Sequence, residues 1–127
     1  MNELGQANVV AVVDDDPSVR IALRGVLKSC GFNVEAFSSA EELLASGALT
    51  GSACIITDYQ MPGMTGLELQ ERLVEEGHRI PIIFVTAFGD EKLRSRAMKA
   101  GAVEFLDKPF DDSRLIQTVH TAIKSDW

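Results

Sequence analysis

Apolar stretches of strand length alternate with segments of helical periodicity along the chain. Residues 9–13, Val-Val-Ala-Val-Val, are continuously apolar, which is typical of a strand buried on both faces. The segment that follows begins with Asp16, a helix cap, and Pro17, a favoured first helical residue, and it ends at Gly31. This alternation occurs five times. It predicts strands at residues 9–13, 32–37, 53–57, 80–85 and 102–106, each followed by a helix.

The predicted helices carry capping signals at their starts. Capping boxes, in which a hydroxyl residue stands three positions before a glutamate, are predicted at Ser39–Glu42 and Thr65–Glu68. The predicted caps of the last two helices are Asp90 and either Asp111 or Asp112. Five strand–helix units without a linker or repeat predict an α/β fold, a doubly wound five-stranded parallel sheet with five helices. We expect one domain over residues 1–127, with its core at about 8–124 and no second domain.

Composition and charge narrow the class of protein. Of the 127 residues, 46% are hydrophobic and 24% are charged, as in an ordinary globular domain. The net charge of −7 argues against direct nucleic-acid binding, which needs a basic face. Neither a secretory signal nor an apolar run near the roughly 20 residues of a membrane span is present, so we expect no membrane association and a cytoplasmic location. Cys30 and Cys54 are expected to be packed, reduced thiols.

Polar residues follow four of the predicted strands. Asp14 and Asp15 follow the first strand, Asp58 the third, Thr86 the fourth and Lys108 the fifth. Because parallel strands end at one edge of a sheet, these side chains should share a cleft. Two carboxylates at 4 Å repel each other by roughly 4 kcal/mol at an effective dielectric near 20. A bound Mg²⁺ would relieve that repulsion, so the cleft suits a divalent cation and a phosphoryl group.

Simpler interpretations exist for single members of this set. Asp16 is most simply a helix cap, and Thr86 alone would be an ordinary strand residue. Lys108 and Pro109 could form a strand exit into a turn, or a cis peptide that aims the lysine inward. The joint placement of the set favours the functional interpretation.

Four motifs occur in order at domain-wide spacing. They are Val-Val-Asp-Asp-Asp at 12–16, Thr-Asp-Tyr-Gln-Met-Pro-Gly-Met-Thr-Gly-Leu-Glu-Leu at 57–69, Phe-Val-Thr-Ala at 84–87 and Lys-Ala-Gly-Ala-Val-Glu-Phe-Leu-Asp-Lys-Pro-Phe at 99–110. Over residues 9–124 the chain resembles the receiver domains of two-component response regulators, in wording most closely those of the nitrogen-fixation regulator type. The resemblance implies a flavodoxin-like sheet with strand order 2-1-3-4-5.

The resemblance also implies a chemical role for the acidic cleft. Asp58 would accept a phosphoryl group from a phosphohistidine on a sensor histidine kinase. Asp15, Asp58 and the backbone carbonyl of Gln60 would ligate Mg²⁺ (or Mn²⁺), with Asp14 helping through water. Lys108 would contact the phosphoryl oxygens.

The same resemblance implies a switch. Thr86 and Ala87 would contact the phosphate after transfer, and Phe105 would occupy a switch position that is often Tyr in the family. We expect Thr86 to turn towards the phosphate and vacate space for the Phe105 ring. Gln60 and Phe88 would tune the lifetime of the phosphate. The surface that responds would comprise the fourth helix, the fifth strand and the fifth helix, and it would bind an effector or a second copy.

Three other functions are compatible with parts of this pattern. A haloacid-dehalogenase-type phosphatase also uses an aspartyl nucleophile, but it places a second acid where this chain has Gln60. A flavin carrier would present amides and hydroxyls, not three aspartates, to its phosphate. A receiver-shaped interaction module that is never phosphorylated is the third alternative.

Overall fold

The computed structural model describes residues 9–87 and 89–124, with the side chain of Thr50 excepted. The N-terminal residues 1–8 and Phe88, on which expectations were stated above, lie outside the described residues. The strands are β1 Val9–Val13, β2 Asn33–Phe37, β3 Cys54–Asp58, β4 Ile82–Thr86 and β5 Glu104–Asp107. The helices are α1 Pro17–Ser29, α2 Ala40–Ser46, α3 Gly66–Glu75, α4 Glu91–Lys99 and α5 Asp112–Lys124, with a short 3-10 helix at Ala48–Gly51.

The five strands form one parallel sheet in the order β2-β1-β3-β4-β5, which confirms the predicted topology. Every residue of β3 and β4 is buried, and apart from Thr57, Asp58 and Thr86 these residues are apolar, as expected of central parallel strands. One core layer packs α1 and α5 against the sheet, and the second packs α2, α3 and α4 against its other face. This doubly wound arrangement leaves the carboxyl edge of the sheet open for a site.

Four strands begin later than predicted, and for three of them the reasons lie in the backbone. Phe32 and Ala102 still donate hydrogen bonds to the ends of the preceding helices, at Leu27 and Ala97. Their amides are therefore not available to a neighbouring strand. The fourth strand begins at Ile82, two residues later than predicted, after a proline that has no N–H to donate.

The caps of α1 to α4 agree with the sequence in all but one respect. Thr65 and Glu68 form the predicted capping box at α3. At α2, Ser39 accepts a hydrogen bond from the amide of Glu42, but the Glu42 carboxylate bonds to the amide of Ser38 at 2.6 Å. The predicted box is therefore only half formed, because the Glu42 carboxylate accepts from the amide of Ser38 and not from that of Ser39.

The two cysteines differ in environment. Cys54 is buried in the central strand, as predicted. Cys30 is free but exposed at the end of α1, so the expectation that it is packed was wrong. Cys30 is the C-cap residue, one position beyond the last helical residue Ser29. Among the described residues, no helix is long and apolar enough to cross a membrane.

Candidate functional site

The polar residues predicted to converge at the carboxyl edge of the sheet lie there. Asp14 directly follows β1, Asp58 ends β3, Thr86 ends β4 and Lys108 directly follows β5. The strands are in parallel register, with Asp58 beside Val85 and Thr86 beside Asp107. The sequence predicted these polar residues at the strand ends, and the parallel sheet brings those ends to one edge.

Three carboxylates form a cluster that could hold a metal ion. One oxygen from each of Asp14, Asp15 and Asp58 lies within 4.8 Å of the others. Asp14 and Asp58 are buried, whereas Asp15 is exposed at the mouth of the cluster. The backbone amide of Gln60 donates to Oδ1 of Asp58 at 3.1 Å, which orients that carboxylate. Three carboxylates without a nearby thiol or imidazole ligand suit a hard divalent cation.

Lys108 bridges two of these carboxylates. Its Nζ lies 2.9 Å from Oδ2 of Asp14 and 3.1 Å from Oδ2 of Asp58. Its backbone amide donates to the carbonyl of Thr86 at 2.7 Å, and its peptide bond to Pro109 is cis. One residue thereby links the acidic cluster to the end of β4.

Burial and neighbouring charges shift the pKa values of Asp58 and Lys108 in opposite directions. Burial raises the pKa of the Asp58 carboxyl, and the hydrogen bond from Gln60 and the charge of Lys108 offset this effect only in part. Burial would lower the pKa of the Lys108 ammonium, but its hydrogen bond to Asp14 and the charge of Asp58 outweigh burial and raise it. Lys108 is therefore a permanent cation beside a carboxylate whose ionisation the site disfavours.

Arg20 is a supporting residue that sequence reasoning missed. Its guanidinium donates to the backbone carbonyl of Asp14 at 2.7 Å from the first turn of α1. The amide of Asp14 donates to Phe37 of β2, and its Oδ1 accepts from the amide of Asp16. These hydrogen bonds hold the backbone and the carboxylate of Asp14 in place. The sequence signal that could have indicated this role is an arginine in the first helical turn after a loop of three aspartates.

Glu41 is a second supporting residue that the sequence did not indicate. Its carboxylate, at the start of α2, accepts a hydrogen bond from the amide of Met64 at 3.0 Å, and this bond lowers the pKa of Glu41. Gly63 has a left-handed conformation with φ of 76°, and a Cβ at this position would lie 2.8 Å from Oε2 of Glu41. The contact ties α2 to the loop that follows Asp58.

Two glycines have roles that depend on contacts distant in sequence. A Cβ at Gly66 would collide with the carbonyl of Asp58 and would lie 2.9 Å from the Phe84 ring. A Cβ at Gly89 would lie 2.8 Å from the Phe105 ring and 2.9 Å from the Thr86 methyl. Only glycine lets the start of α3 and the β4–α4 connection approach these neighbours so closely.

The predicted switch residues are enclosed. Thr86 and Phe105 are each 1% exposed, and Ala87 follows Thr86 at the surface. Arg94 of α4 covers the Phe105 ring, with its guanidinium carbon 5.5 Å from the ring centroid. The expectation that Phe105 enters space vacated by Thr86 therefore changes in one respect. The ring is already buried, so the motion open to it is a displacement within the core.

Comparison with known proteins gives one consistent result. A family model described as the response regulator receiver domain matches residues 10–120. This match selects the receiver over the phosphatase and flavin-carrier alternatives.

Individual relatives agree with the family model. The response regulator protein TmoT of Ectopseudomonas mendocina is 41% identical over 119 residues, covering 94% of this chain and 54% of that protein. The transcriptional regulatory protein FixJ of Azorhizobium caulinodans is 42% identical over 114 residues, covering 90% of this chain and 54% of FixJ. The crystal structure of FixJ-N superimposes with a TM-score of 0.82 at 38% identity, covering 91% of this chain and 93% of that chain. The chain thus spans about half the length of the curated relatives it matches.

Proposed function

The chain belongs to the response regulator receiver domain family, and we propose that it takes a phosphoryl group from a phosphohistidine of a sensor histidine kinase onto Asp58. The observation that carries this proposal is the position of Asp58. It ends the central strand β3, stands within the acidic cluster, and receives the Lys108 ammonium at 3.1 Å. Asp14 also contacts Lys108, but its side chain is only 1% exposed against 12% for Asp58, so Asp58 is the more accessible of the two carboxylates beside the ammonium.

The proposed reaction forms a bond between a carboxylate oxygen of Asp58 and phosphorus, while the bond from phosphorus to the histidine nitrogen breaks. The electron pair of that bond returns to the imidazole. Gln60 holds Oδ1 of Asp58 through its amide, so the carboxylate is oriented before the donor arrives. Lys108 can move its hydrogen bond from Asp58 to a phosphoryl oxygen, because Asp14 keeps the ammonium in place.

The acidic cluster fits the cation that such transfer needs. We propose that Asp15, Asp58 and the Gln60 carbonyl would ligate Mg²⁺ or Mn²⁺, with Asp14 contributing through water. The support is the convergence of three carboxylate oxygens within 4.8 Å, one of them on the exposed residue Asp15. When bound, the metal would offset negative charge on the phosphoryl oxygens.

We propose that the phosphoryl group then changes a surface formed by α4, β5 and α5, called here the output surface. Thr86, Lys108 and the amide of Ala87 would contact the phosphate. Hydrogen bonds to charged groups contribute about 1.5–3 kcal/mol each, and moving a population from 1:99 to 99:1 takes about 5.5 kcal/mol. Three such contacts therefore suffice to drive the switch.

The output surface carries charges suited to a partner. Its α4 helix contributes four cations, Lys92, Arg94, Arg96 and Lys99. On the same surface, Arg94 lies 4.0 Å from Asp107, and Arg114 of α5 pairs with Glu104 of β5 at 2.6 Å. We propose that an acidic effector or a second copy of the chain binds here.

The remaining expectations stand as proposals. We propose that the described residues form a single receiver domain, with its core at about 8–124. The net charge of −7 argues against direct binding of this domain to nucleic acid. A cytoplasmic location follows from the proposed kinase partner and stays a prediction.

Incubation with acetyl phosphate, with and without Mg²⁺, tests the proposed function. Intact mass should show one phosphoryl group on the wild type only when Mg²⁺ is present, and the group should be lost in base. Asp58→Asn should remain unlabelled, whereas Asp111→Asn, which changes an exposed carboxylate before α5, should be labelled like the wild type. Equal labelling of Asp58→Asn would reject the acceptor. A wild type that is never labelled would support the interaction module that is not phosphorylated.

A further inference from the structure

Tyr59 carries a polar atom that the phosphoacceptor site does not use. The residue is 4% exposed, and among the residues that the structure describes its hydroxyl has no hydrogen-bond partner. Most buried polar groups in native proteins are hydrogen-bonded, because an unsatisfied one loses its contacts with water and gains nothing. An unsatisfied hydroxyl therefore disfavours the conformation that holds it.

The backbone of Tyr59 is fixed next to the acceptor. Its amide donates to the carbonyl of Val85 at 3.1 Å, and its carbonyl accepts from the amide of Gly66 at 2.9 Å. Since Tyr59 directly follows Asp58, these bonds also hold the acceptor in place. The hydroxyl cannot find a partner by a shift of the main chain, so relief must come from the side chains around it.

The neighbours of the Tyr59 ring include the switch residue. The ring meets Phe84 edge-on, with centroids 5.2 Å apart, and Phe105 edge-on, with centroids 5.5 Å apart. Phe84 and Phe105 lie 6.3 Å apart, so the three rings form one closed aromatic cluster. Gly89 and Arg94 enclose Phe105 on other sides. Because Phe105 is buried and packs against both rings, a displacement of its ring changes the contacts of Tyr59 and Phe84.

We propose that Tyr59 is a positioning residue of the switch, whose unsatisfied hydroxyl disfavours the unphosphorylated arrangement and gains a hydrogen bond when Phe105 is displaced. The inference rests on the proposed function, because phosphorylation of Asp58 is what moves Thr86 and then Phe105. A hydroxyl that is satisfied in one state only should bias the equilibrium between the states by roughly tenfold.

A spectroscopic measurement on the wild type tests this directly. Tyr59 is the only tyrosine of the chain, so tyrosine labelled with ¹³C at Cζ gives a single resonance that reports on hydrogen bonding of its hydroxyl. Beryllofluoride with Mg²⁺, which stands in for the phosphoryl group, should shift that resonance together with amide resonances of the output surface. If the output surface responds while the Cζ resonance stays unchanged, the inference is overturned and the proposed function stands.

Two variants separate the hydroxyl from the ring. Tyr59→Phe removes only the hydroxyl, so the unphosphorylated protein should melt at a higher temperature and its switching equilibrium should fall roughly tenfold. Labelling by acetyl phosphate should be unchanged, because the acceptor is intact. Thr118→Val is the matched control, since the Thr118 hydroxyl is buried but donates to Arg114 at 2.8 Å, and its loss should lower the melting temperature.

The outcomes for Tyr59→Phe are distinct. A reduced output response with normal labelling supports the inference. A full-sized response, or a melting temperature lowered as in Thr118→Val, overturns it. A wild type that neither accepts phosphoryl groups nor responds to beryllofluoride overturns the proposed function, and the inference with it.

Discussion

At the scale of single residues, the site balances like charges against one ammonium. Asp14 and Asp58 share Lys108 at 2.9 and 3.1 Å, and Asp15 adds a third carboxylate nearby. Burial raises the pKa of Asp58 despite this cation. The carboxylate is therefore held in its charged form at a cost to stability, which is common where a group is kept for function.

Asp58→Asn should stabilise the metal-free protein at neutral pH. A raised pKa in the folded state means that folding favours the protonated acid, so the ionised form destabilises the fold at pH values above that pKa. The neutral amide avoids this cost, and Asp14 still partners Lys108. The stability difference from wild type should be largest near pH 7 and should disappear below the ordinary pKa of 3.8, where both proteins are uncharged at this position.

Urea denaturation of both proteins across this pH range measures the difference. Asp111→Asn serves as the control for loss of an exposed carboxylate. A wild type that is more stable than Asp58→Asn at pH 7 without divalent cations would show that the charge at position 58 is well compensated, contrary to this account.

At the scale of elements, the connection between β4 and α4 joins the site to the output surface. Gly89 lies in this connection, where a Cβ would approach the Phe105 ring, the Thr86 methyl and Oδ1 of Asp107 within 3 Å. Asp90 then caps α4 by accepting from the amide of Leu93 at 2.9 Å. We therefore expect a change at the end of β4 to reach α4 within a few residues.

Gly89→Ala should destabilise the protein by about 1–3 kcal/mol, because the added methyl overpacks an enclosed site. It should also weaken the response of the output surface to beryllofluoride, since Thr86 and Phe105 would lose room to move. The control is Gly25→Ala in α1, where a Cβ meets nothing within 4 Å, and there alanine should stabilise the helix by about 0.5–1 kcal/mol. Equal stabilities for the two variants would contradict the proposed packing of the loop.

At the scale of the whole molecule, cation binding should be coupled to folding. A ligand that binds only the folded state stabilises it by about 2.7 kcal/mol at a concentration of 100 times its Kd. Mg²⁺ should therefore raise the melting temperature, and Asp15→Asn should abolish the rise while leaving the core intact, because Asp15 is exposed. A melting temperature that ignores Mg²⁺ in the wild type, or that rises equally in Asp15→Asn, would contradict the proposed metal site.

The sequence was sufficient to predict the topology and the convergence of the strand ends. The five strand–helix units and the convergence of the strand ends follow from patterns local to each unit, such as the apolar run before Asp58 and the cap at Thr65. The strand order came from the family resemblance. The missed features all depend on contacts between units. Arg20, Glu41 and Gly89 act on residues of other loops, and periodicity does not reveal which loops meet.

The central claim is that Asp58, and neither of its acidic neighbours, carries the phosphoryl group. Proteins treated with acetyl phosphate and Mg²⁺ can be reduced with borohydride, which converts an aspartyl phosphate into homoserine and marks its position for peptide mass spectrometry. The account predicts homoserine at position 58 and none at Asp14 or Asp15. Homoserine at either neighbour, or a phosphoryl group that survives on another residue type, would contradict it.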